Sequence, residues 1–477
     1  MARRPVLPGA AAAAILLALA ARPVQAQVYK LEQMPVPAPF SLSTHYVFYV
    51  YGARASVEFR QLAARKTPAG QPPSRYSSLE VSILPFDKFW DLVNKESFCA
   101  STQDVKSYKA KQCCHLLLNP PAGSTLDEVG VRTQGVPLGS EAQTVSFPIE
   151  NTGRYILTIS NCGNYSEATI TGSVAVRNAH GYLPAYEFNA MRIAGWLTVI
   201  YTAIFGVWTS AAIRHFKTLL FVQQGILIVS LICVLEAFCT WLDHQDWNTN
   251  GNRRDSLFLA SLMFYTLKYV LAWRLLLLAS LGAGLVFEDL DMKTSVIFVV
   301  TSSLFMIQSC AWRLIVSYRY SFALDPTFLL LVTFPGILLY TGMFGWTFMA
   351  ISSMVTRIAE QKQEELTAIF GKVRVILVIG ILLSTINATV QIVDIAKGLF
   401  PWDLAWFSVD GAPQYSFMAV LVAMMVVWWP SADAWKYSSE LQTSVEEEAV
   451  ADEAPGTRVT MKDGDEILDS CKPKAEE

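Results

Sequence analysis

Alternating apolar and polar positions fill the first part of the chain, most clearly over residues 45–51, 79–84, 144–149, 154–160 and 169–177. Alternation with a period of two predicts half-buried β-strands. Asn151, Thr152 and Gly153 supply turn chemistry between two of these strands, and the Pro-, Ser- and base-rich residues 63–76 indicate a loop. An antiparallel β-sandwich is the simplest assembly of such strands.

The pattern changes after about residue 180, where seven long apolar stretches follow at about residues 190–213, 218–242, 257–281, 294–317, 327–352, 373–396 and 414–429. A helix needs roughly 20 apolar residues to cross a bilayer. The sequence therefore predicts a bundle of seven transmembrane helices. The last stretch is the shortest, and we expect Trp428 and Trp429 to anchor it at the membrane interface, where tryptophan is favoured.

The first 26 residues have the pattern of a secretory signal peptide. Arg3 and Arg4 precede an apolar run over residues 10–20, and the small residue Ala26 ends a cleavage site. Because the run is too short to span a bilayer, we expect it to be removed, with a retained anchor as the alternative. The predicted division is a signal peptide at 1–26, a lumenal β domain at 27–180, a linker at 181–189, the bundle at 190–430 and a tail at 431–477.

Loop charges favour the same orientation. Seven basic residues lie in connections assigned to the cytosol, against four on the lumenal side: Arg214, Lys217, Lys293, Arg357, Lys362, Lys372 and Arg374, against Arg253, Arg254, Arg319 and Lys397. The positive-inside tendency therefore predicts a cytosolic C-terminus. The acidic, aromatic-poor tail is expected to be disordered. In it, Asp463, Ile467 and Leu468 resemble an acidic dileucine sorting signal, a short pattern that chance also produces.

Composition agrees with a membrane protein. The chain is 53% hydrophobic and 16% charged, with a mean hydropathy of +0.34, so lipid must solvate part of its surface. A net charge of -3 without a basic face argues against a nucleic-acid partner. All five histidines fall outside the seven apolar stretches, and no GxSxG, HExxH or P-loop occurs. We therefore expect no enzymatic activity, no metal and no cofactor.

The cysteines and one asparagine of the predicted lumenal domain are candidates for modification. An oxidising lumen favours disulfides among Cys99, Cys113, Cys114 and Cys162. Because Cys113 and Cys114 are adjacent, we expect one to pair with Cys99 and the other with Cys162. Asn164 begins an Asn-Tyr-Ser sequon and is expected to carry an N-linked glycan.

Five ionisable residues lie inside the apolar stretches, namely Glu236, Lys268, Arg274, Arg313 and Asp394. Such residues usually face the bundle interior or a water-filled cavity. At about 1.5 Å per residue, Glu236, Arg313 and Asp394 fall in the lumenal half and Lys268 near the midplane. Arg313 and Asp394 can equally snorkel to the interface, and Arg274 can reach cytosolic headgroups. For Glu236 and Lys268 we expect an ion pair at a lumen-facing polar cavity.

Short motifs resemble those of a known family. They lie at residues 153–157, 161–162, 172–174 and 178–184, the last containing Gly-Tyr-Leu-Pro, and at residues 280–284 and 429–437. Together they resemble the GOLD-domain seven-transmembrane (GOST) family, which includes Wntless-like and PTM-like Golgi proteins. Ala179, His180 and Ala185 differ from the commoner residues of that family, and Trp428-Trp429 replaces its Trp-Arg pair.

The resemblance implies a GOLD-like β-sandwich over the bundle and residence in Golgi or endosomal membranes. It also implies a role in trafficking, sorting or chaperoning membrane cargo. The expected partners are membrane lipids, membrane-protein or lipidated cargo, and coat or adaptor proteins at the tail. The residues leave two alternatives open, a cation channel or transporter that uses the polar cavity, and an orphan ligand receptor.

Overall fold

The computed structural model describes residues 28–35, 41–51, 54–66, 79–88, 130–136, 143–161, 168–282, 292–318, 326–360, 364–397, 399–401 and 403–431. Within these residues the chain forms a β domain followed by a helical bundle. The β domain consists of β1 (Val28–Pro35), β2 (Ser41–Val50), β3 (Ala55–Lys66), β4 (Leu79–Pro85), β5 (Arg132–Gly135), β6 (Gln143–Ile149), β7 (Gly153–Asn161) and β8 (Ala168–Arg177).

The strands form two antiparallel four-stranded sheets, one in the order β1-β8-β3-β6 and the other in the order β2-β7-β4-β5. The predicted β-sandwich is therefore confirmed. The turn at residues 151–153 carries the chain from β6 in the first sheet to β7 in the second. At this corner the Tyr155 hydroxyl donates a hydrogen bond of 2.9 Å to the Asn151 carbonyl, which ties β7 to the turn.

A hydrophobic core fills the space between the sheets, with Leu31, Val57, Phe59 and Ile83 almost fully buried. Burial departs from the half-buried strands that alternation predicts, because nearly all of β4 and most of β7 are buried. Their polar side chains are satisfied locally: the Ser82 Oγ lies 3.0 Å from the Thr133 Oγ1, and the Thr158 Oγ1 donates to the Ser82 carbonyl at 3.3 Å. Hydrogen bonding thus offsets the cost of burying these hydroxyls.

The bundle contains α1 (Ala185–Arg214), α2 (Phe221–Asn250), α3 (Asp255–Ser280), α4 (Met292–Tyr318), α5 (Pro326–Glu360), α6 (Glu364–Lys397) and α7 (Ala412–Val427). Seven helices in the described residues are long and apolar enough to cross a membrane, which confirms the predicted number. One π-helical turn, Phe407–Gly411, precedes α7 and lengthens the last span to the 21 residues Phe407–Val427.

Two boundaries near the β domain differ from the prediction. The linker covers only residues 181–184, because α1 already begins at Ala185, where Ala185 and Tyr186 pack against Tyr49 of β2. At its far end α2 continues to Asn250, so His244 lies inside a helix rather than in a loop. In its last turn the Asn248 carbonyl accepts a hydrogen bond from the Tyr182 N–H, and Gly251 ends the helix with a left-handed φ of 78°.

The two terminal tryptophans have different environments. Trp428 is buried and packs edge-on against Phe370, with the ring centroids 5.9 Å apart. Trp429 is half exposed and contacts Trp208. The expectation that both residues act as interfacial anchors is therefore wrong for Trp428, whose ring fills the core at the end of the bundle away from the β domain.

Candidate functional site

Glu236 on α2 and Lys268 on α3 meet inside the bundle. The Lys268 Nζ lies 3.1 Å from the Glu236 Oε2 and donates a second hydrogen bond of 2.7 Å to the Gln414 Oε1. The Gln414 Nε2 donates to the Glu236 Oε1 at 3.0 Å, which closes a ring of three side chains. The Lys268 side chain is 0% exposed and the Glu236 side chain is 2% exposed, so solvent does not reach this ion pair.

Aromatic rings cover the ammonium group of Lys268. Its Nζ lies 4.9 Å from the centroid of Tyr269, 5.1 Å from that of Phe417 and 5.6 Å from that of Tyr265. A desolvated cation is attracted to the electron-rich faces of such rings. The aromatic cover therefore adds to the carboxylate and the amide in holding a charge that hydrocarbon alone would not tolerate.

Arg313 forms the second ion pair of this region. The Arg313 Nη1 donates to the Asp410 Oδ1 at 2.7 Å, and the guanidinium lies 4.9 Å from the Tyr265 centroid. The Arg313 side chain is 14% exposed, so it points into the bundle rather than snorkelling to the interface. Between the two ion pairs lies a small cavity of about 20 Å³, whose polar lining comes from Glu236, Thr240, His244, Arg313, Asp410 and Gln414.

The other two predicted charges lie apart from the polar ring. Asp394 is buried and holds the chain before α7, because its carboxylate accepts hydrogen bonds from the Ser408 hydroxyl at 2.8 Å and the Phe400 N–H at 2.9 Å. Asp394 therefore fixes the segment between α6 and α7, and it neither snorkels to the interface nor belongs to the polar ring. Arg274 lies over the Phe298 ring at 4.8 Å, two helical turns beyond Lys268 along α3.

A much larger cavity of about 780 Å³ lies beside the polar ring and is lined by side chains from α2 to α7. Its wall is mostly apolar and includes Trp273, Phe305, Tyr340 and Phe344. The lining residues Ile337, Thr341, Phe348, Thr385, Ala388 and Thr389 are exposed, and all six belong to α5 or α6. We conclude that the cavity opens toward lipid between these two helices.

Tyr265, Tyr269 and Phe417 join the two features, because they contact the Lys268 ammonium and also line the large cavity. A polar edge runs along the cavity, where the Gln391 Oε1 accepts from the Trp312 indole at 3.2 Å and the Asn387 Nδ2 donates to the Ser416 Oγ at 2.9 Å. The cavity is thus suited to an amphipathic molecule rather than to a purely apolar one.

The sequence alone does not single out Asp410 or Gln414 as partners of the predicted charges. Asp410 lies before the apolar stretch at 414–429, in the π-helical turn, and an uncharged glutamine at a helix start attracts little notice. The sequence does carry one signal for this pair: Asp410 and Gln414 are four residues apart, and residues at this spacing share a helix face. Arg313 also required an acidic partner if it was to be buried.

A compact joint connects the β domain to the bundle through Asn248 of α2. The Asn248 Nδ2 donates to the His180 carbonyl at 2.7 Å, and the Leu183 N–H donates to the Asn248 Oδ1 at 3.1 Å. The His180 ring stacks on Phe188 and its Nε2–H donates to the Leu183 carbonyl at 3.0 Å. Burial lowers the pKa of the His180 imidazole, which keeps this ring neutral at neutral pH.

The Gly-Tyr-Leu-Pro segment has a structural reason in this joint. Gly181 has a φ of 133°, and a Cβ at this position would collide with the side chain and carbonyl of Asn248. The Tyr182 hydroxyl accepts a hydrogen bond of 3.1 Å from Arg60 of β3, while Leu183 is fully buried. Pro184 then precedes the first residue of α1. Gly181 and Leu183 therefore hold the contact with Asn248, Tyr182 binds the β domain, and Pro184 leads into α1.

Several predicted sites lie outside the residues that the structure describes. These are the cysteines Cys99, Cys113, Cys114 and Cys162, the sequon residue Asn164 and the tail residues Asp463, Ile467 and Leu468. They stay predictions. Among the described residues the bundle cysteines Cys233, Cys239 and Cys310 are free thiols, and no group of three His, Cys, Asp or Glu side chains is placed to hold a metal ion.

Comparison with known proteins agrees with the seven-helix architecture. The family model described as "GOST, seven transmembrane domain" matches residues 189–435, which is more than half of the 477 residues. The chain belongs to this family. The GOST match covers nearly all of α1 and every later helix, including the residues of the polar ring and of the large cavity.

Individual GOST relatives are distant in sequence but similar over most of the chain. "Membrane protein PTM1" of Saccharomyces cerevisiae is 23% identical over 385 residues, covering 78% of this chain and 70% of the relative. "Transmembrane protein 87A" of Xenopus tropicalis is 22% identical over 363 residues, covering 74% and 65% respectively. "Transmembrane protein 87B" of Homo sapiens is 21% identical over 290 residues, covering 60% and 51%. These names describe membrane proteins and specify no activity.

Proposed function

We propose that this protein is a non-enzymatic sorting or chaperoning factor of Golgi or endosomal membranes that handles membrane cargo carrying a lipid chain. The observation that carries the proposal is the cavity of about 780 Å³ that opens between α5 and α6. A ligand in the bilayer can reach such an opening without crossing water. Because the bundle offers a lipid-accessible site, the cargo itself or its acyl modification is the simplest occupant.

The shape and chemistry of the cavity match an acyl chain with a polar group at one end. Its volume lies within the range of about 300–1,000 Å³ that is common for ligand sites. Polar side chains along one edge of the cavity, among them Gln391 and Ser416, can lie beside the polar group of such a ligand.

The proposed orientation rests on the signal-peptide pattern and on the loop charges, which favour a lumenal β domain and a cytosolic tail. In that arrangement the β domain meets the exported part of a cargo protein while the bundle holds its lipid. The tail then offers Asp463, Ile467 and Leu468 to cytosolic coat or adaptor proteins.

Filling the cavity tests this proposal. Gly345 lines the cavity, whereas Gly342 on the same helix does not, and a Cβ at either position would meet no atom within 4 Å. We expect Gly345→Trp to lose most of its crosslinking to a photoreactive palmitate analogue in nanodiscs, while Gly342→Trp keeps it. In cells that lack the protein, Gly342→Trp should restore the surface proteome and Gly345→Trp should not. Equal labelling of both variants, or an unchanged proteome after deletion, would refute the proposal.

A cation channel or transporter is the second candidate. It is favoured by the charges of Glu236, Arg313 and Asp410, which line the cavity of about 20 Å³ in the membrane-spanning region, and by Lys268, which is paired with Glu236. Charges in this position often mark ion pathways. The purified protein in planar bilayers should then conduct cations, with the current altered by Glu236→Gln. A silent wild-type protein would exclude this candidate.

A further inference from the structure

His244 of α2 is buried at the end of the bundle that faces the β domain. Its Nδ1 lies 2.7 Å from the Thr240 carbonyl oxygen, one turn earlier on the same helix. Its Nε2 lies 3.4 Å from the Oε2 of Glu187, in the first turn of α1. The imidazole therefore bridges the first two helices of the bundle.

The number of protons at this contact follows from the hydrogen-bonding partners. A carbonyl oxygen only accepts, so the Nδ1 must carry a hydrogen. In a neutral imidazole the Nε2 would then present a lone pair to a carboxylate oxygen, which also only accepts when ionised. The contact becomes favourable when one more proton lies between the Nε2 and the Oε2, whether it is bonded to the ring or to the carboxyl group.

The surrounding charges are already matched to one another. On α2 itself, Asp243 accepts three hydrogen bonds from the guanidinium of Arg253 in the loop before α3. Across the cavity of about 20 Å³, Glu236 is paired with Lys268 of α3, and Asp410 of the π-helical turn is paired with Arg313 of α4. The contact between Glu187 and His244 is separate from these three ion pairs, and an additional proton improves its own charge balance.

We propose that Glu187 and His244 form a proton-binding site that holds α1 against α2 beneath the β domain. Both residues are one helical turn from the joint. Glu187 follows Leu183 by four residues, and His244 precedes Asn248 by four residues on the same face of α2. Asn248 in turn holds residues 180 and 183 by hydrogen bonds. Loss of the proton therefore weakens the contact between α1 and α2 directly beneath the joint.

The sign of the pH dependence follows from this assignment. The folded, docked protein binds the proton more tightly than the unfolded chain, so the site stabilises the protein at low pH. This stabilisation is lost as the pH rises through the range in which the site releases its proton. Docking of the β domain is accordingly firmest in an acidic compartment.

Glu187→Gln is the informative variant, because a glutamine amide can donate to a neutral Nε2 and needs no extra proton. In nanodiscs between about pH 5.5 and 8.5, we expect the unfolding temperature of the wild-type protein to fall by about 2–4 °C as the pH rises. The protection of residues 178–184 against hydrogen exchange, corrected for the intrinsic rise of the exchange rate with pH, should fall in parallel. Glu187→Gln should show neither change. Parallel pH curves for the two proteins would overturn the proposal.

A direct measurement covers the case in which the variant does not fold. The chain has five histidines, so selective ¹⁵N-histidine labelling gives few signals, and loss of one signal in His244→Gln assigns it. We expect both nitrogens of His244 in the wild type, or the Nδ1 and a neutral Glu187, to hold their protons at pH 7. An ordinary imidazole with a pKa of about 6.5 is mostly neutral there. A hydrogen-free Nε2 together with an ionised Glu187, as seen in the ¹³C spectrum of its carboxyl carbon, would contradict the proposal.

Discussion

The Lys268 ammonium and the Glu236 carboxylate lie 3.1 Å apart with almost no solvent access to either side chain. Gln414 bonds to both of them and so ties α7 to the pair that joins α2 and α3. A buried pair of this kind is strongly sensitive to the loss of one partner, because the remaining charge has no water to solvate it.

The first prediction concerns this pair. Glu236→Gln and Lys268→Met should each destabilise the detergent-solubilised protein, by about 3–5 kcal/mol, because each leaves a buried charge uncompensated. The double variant should recover part of the loss. Thermal unfolding of the four proteins gives the coupling, and Arg274→Met serves as a control because Arg274 lies outside the ring. Strictly additive losses would show that the two charges are not coupled.

Glu236 and Lys268 could be chosen from the sequence because ionisable residues in apolar stretches must find partners in the bundle interior. Asp410 could not be chosen in this way, because it lies in a π-helical turn before the apolar stretch that predicts the last helix. The sequence does not indicate His244 as a site residue, for a related reason. The polar end of α2 has the composition of a loop, and only its contact with the β domain through Asn248 explains why it stays helical.

The sandwich and the number of helices follow from local periodicity, which each segment carries in its own sequence. The large cavity does not, because its volume depends on how the side chains of α2 to α7 fit against one another. Gly345 is an example, because the sequence shows that it lies in an apolar helix but not that it lines a cavity.

The second prediction separates the two tryptophans after α7. Trp428→Ala should lower stability by about 3–5 kcal/mol, because it removes a buried ring from the contact with Phe370. Trp429→Ala removes a half-exposed ring and should change the unfolding temperature much less. Thermal unfolding in one lipid composition measures both variants. Similar losses would show that the two rings contribute alike, as interfacial anchors do.

The third prediction concerns membrane orientation and rests on the sequence. If the β domain is lumenal, Asn164 should carry an N-linked glycan, and the tail should be accessible to protease from the cytosolic side of sealed vesicles. Glycosidase treatment should increase the electrophoretic mobility of the wild type but not of Asn164→Gln. Unchanged mobility of the wild-type protein would count against the proposed placement of the domain.

The fourth prediction tests the joint with a substitution at Gly181 and a control substitution at Gly153, in the turn between β6 and β7. Gly181→Ala forces a Cβ into Asn248 at a φ of 133°, so the turn must move and the hydrogen bonds from residues 180–183 to Asn248 should break. Gly153→Ala is the matched control, because its Cβ would come no closer than 3.9 Å to the Tyr155 ring. We expect limited proteolysis to cut between the β domain and the bundle several-fold faster in Gly181→Ala, while Gly153→Ala behaves as the wild type. Since the sandwich core is untouched by either change, the released β domain should itself resist further digestion. Equal cleavage rates in the two variants would mean that the contact through Asn248 does not hold the two parts together.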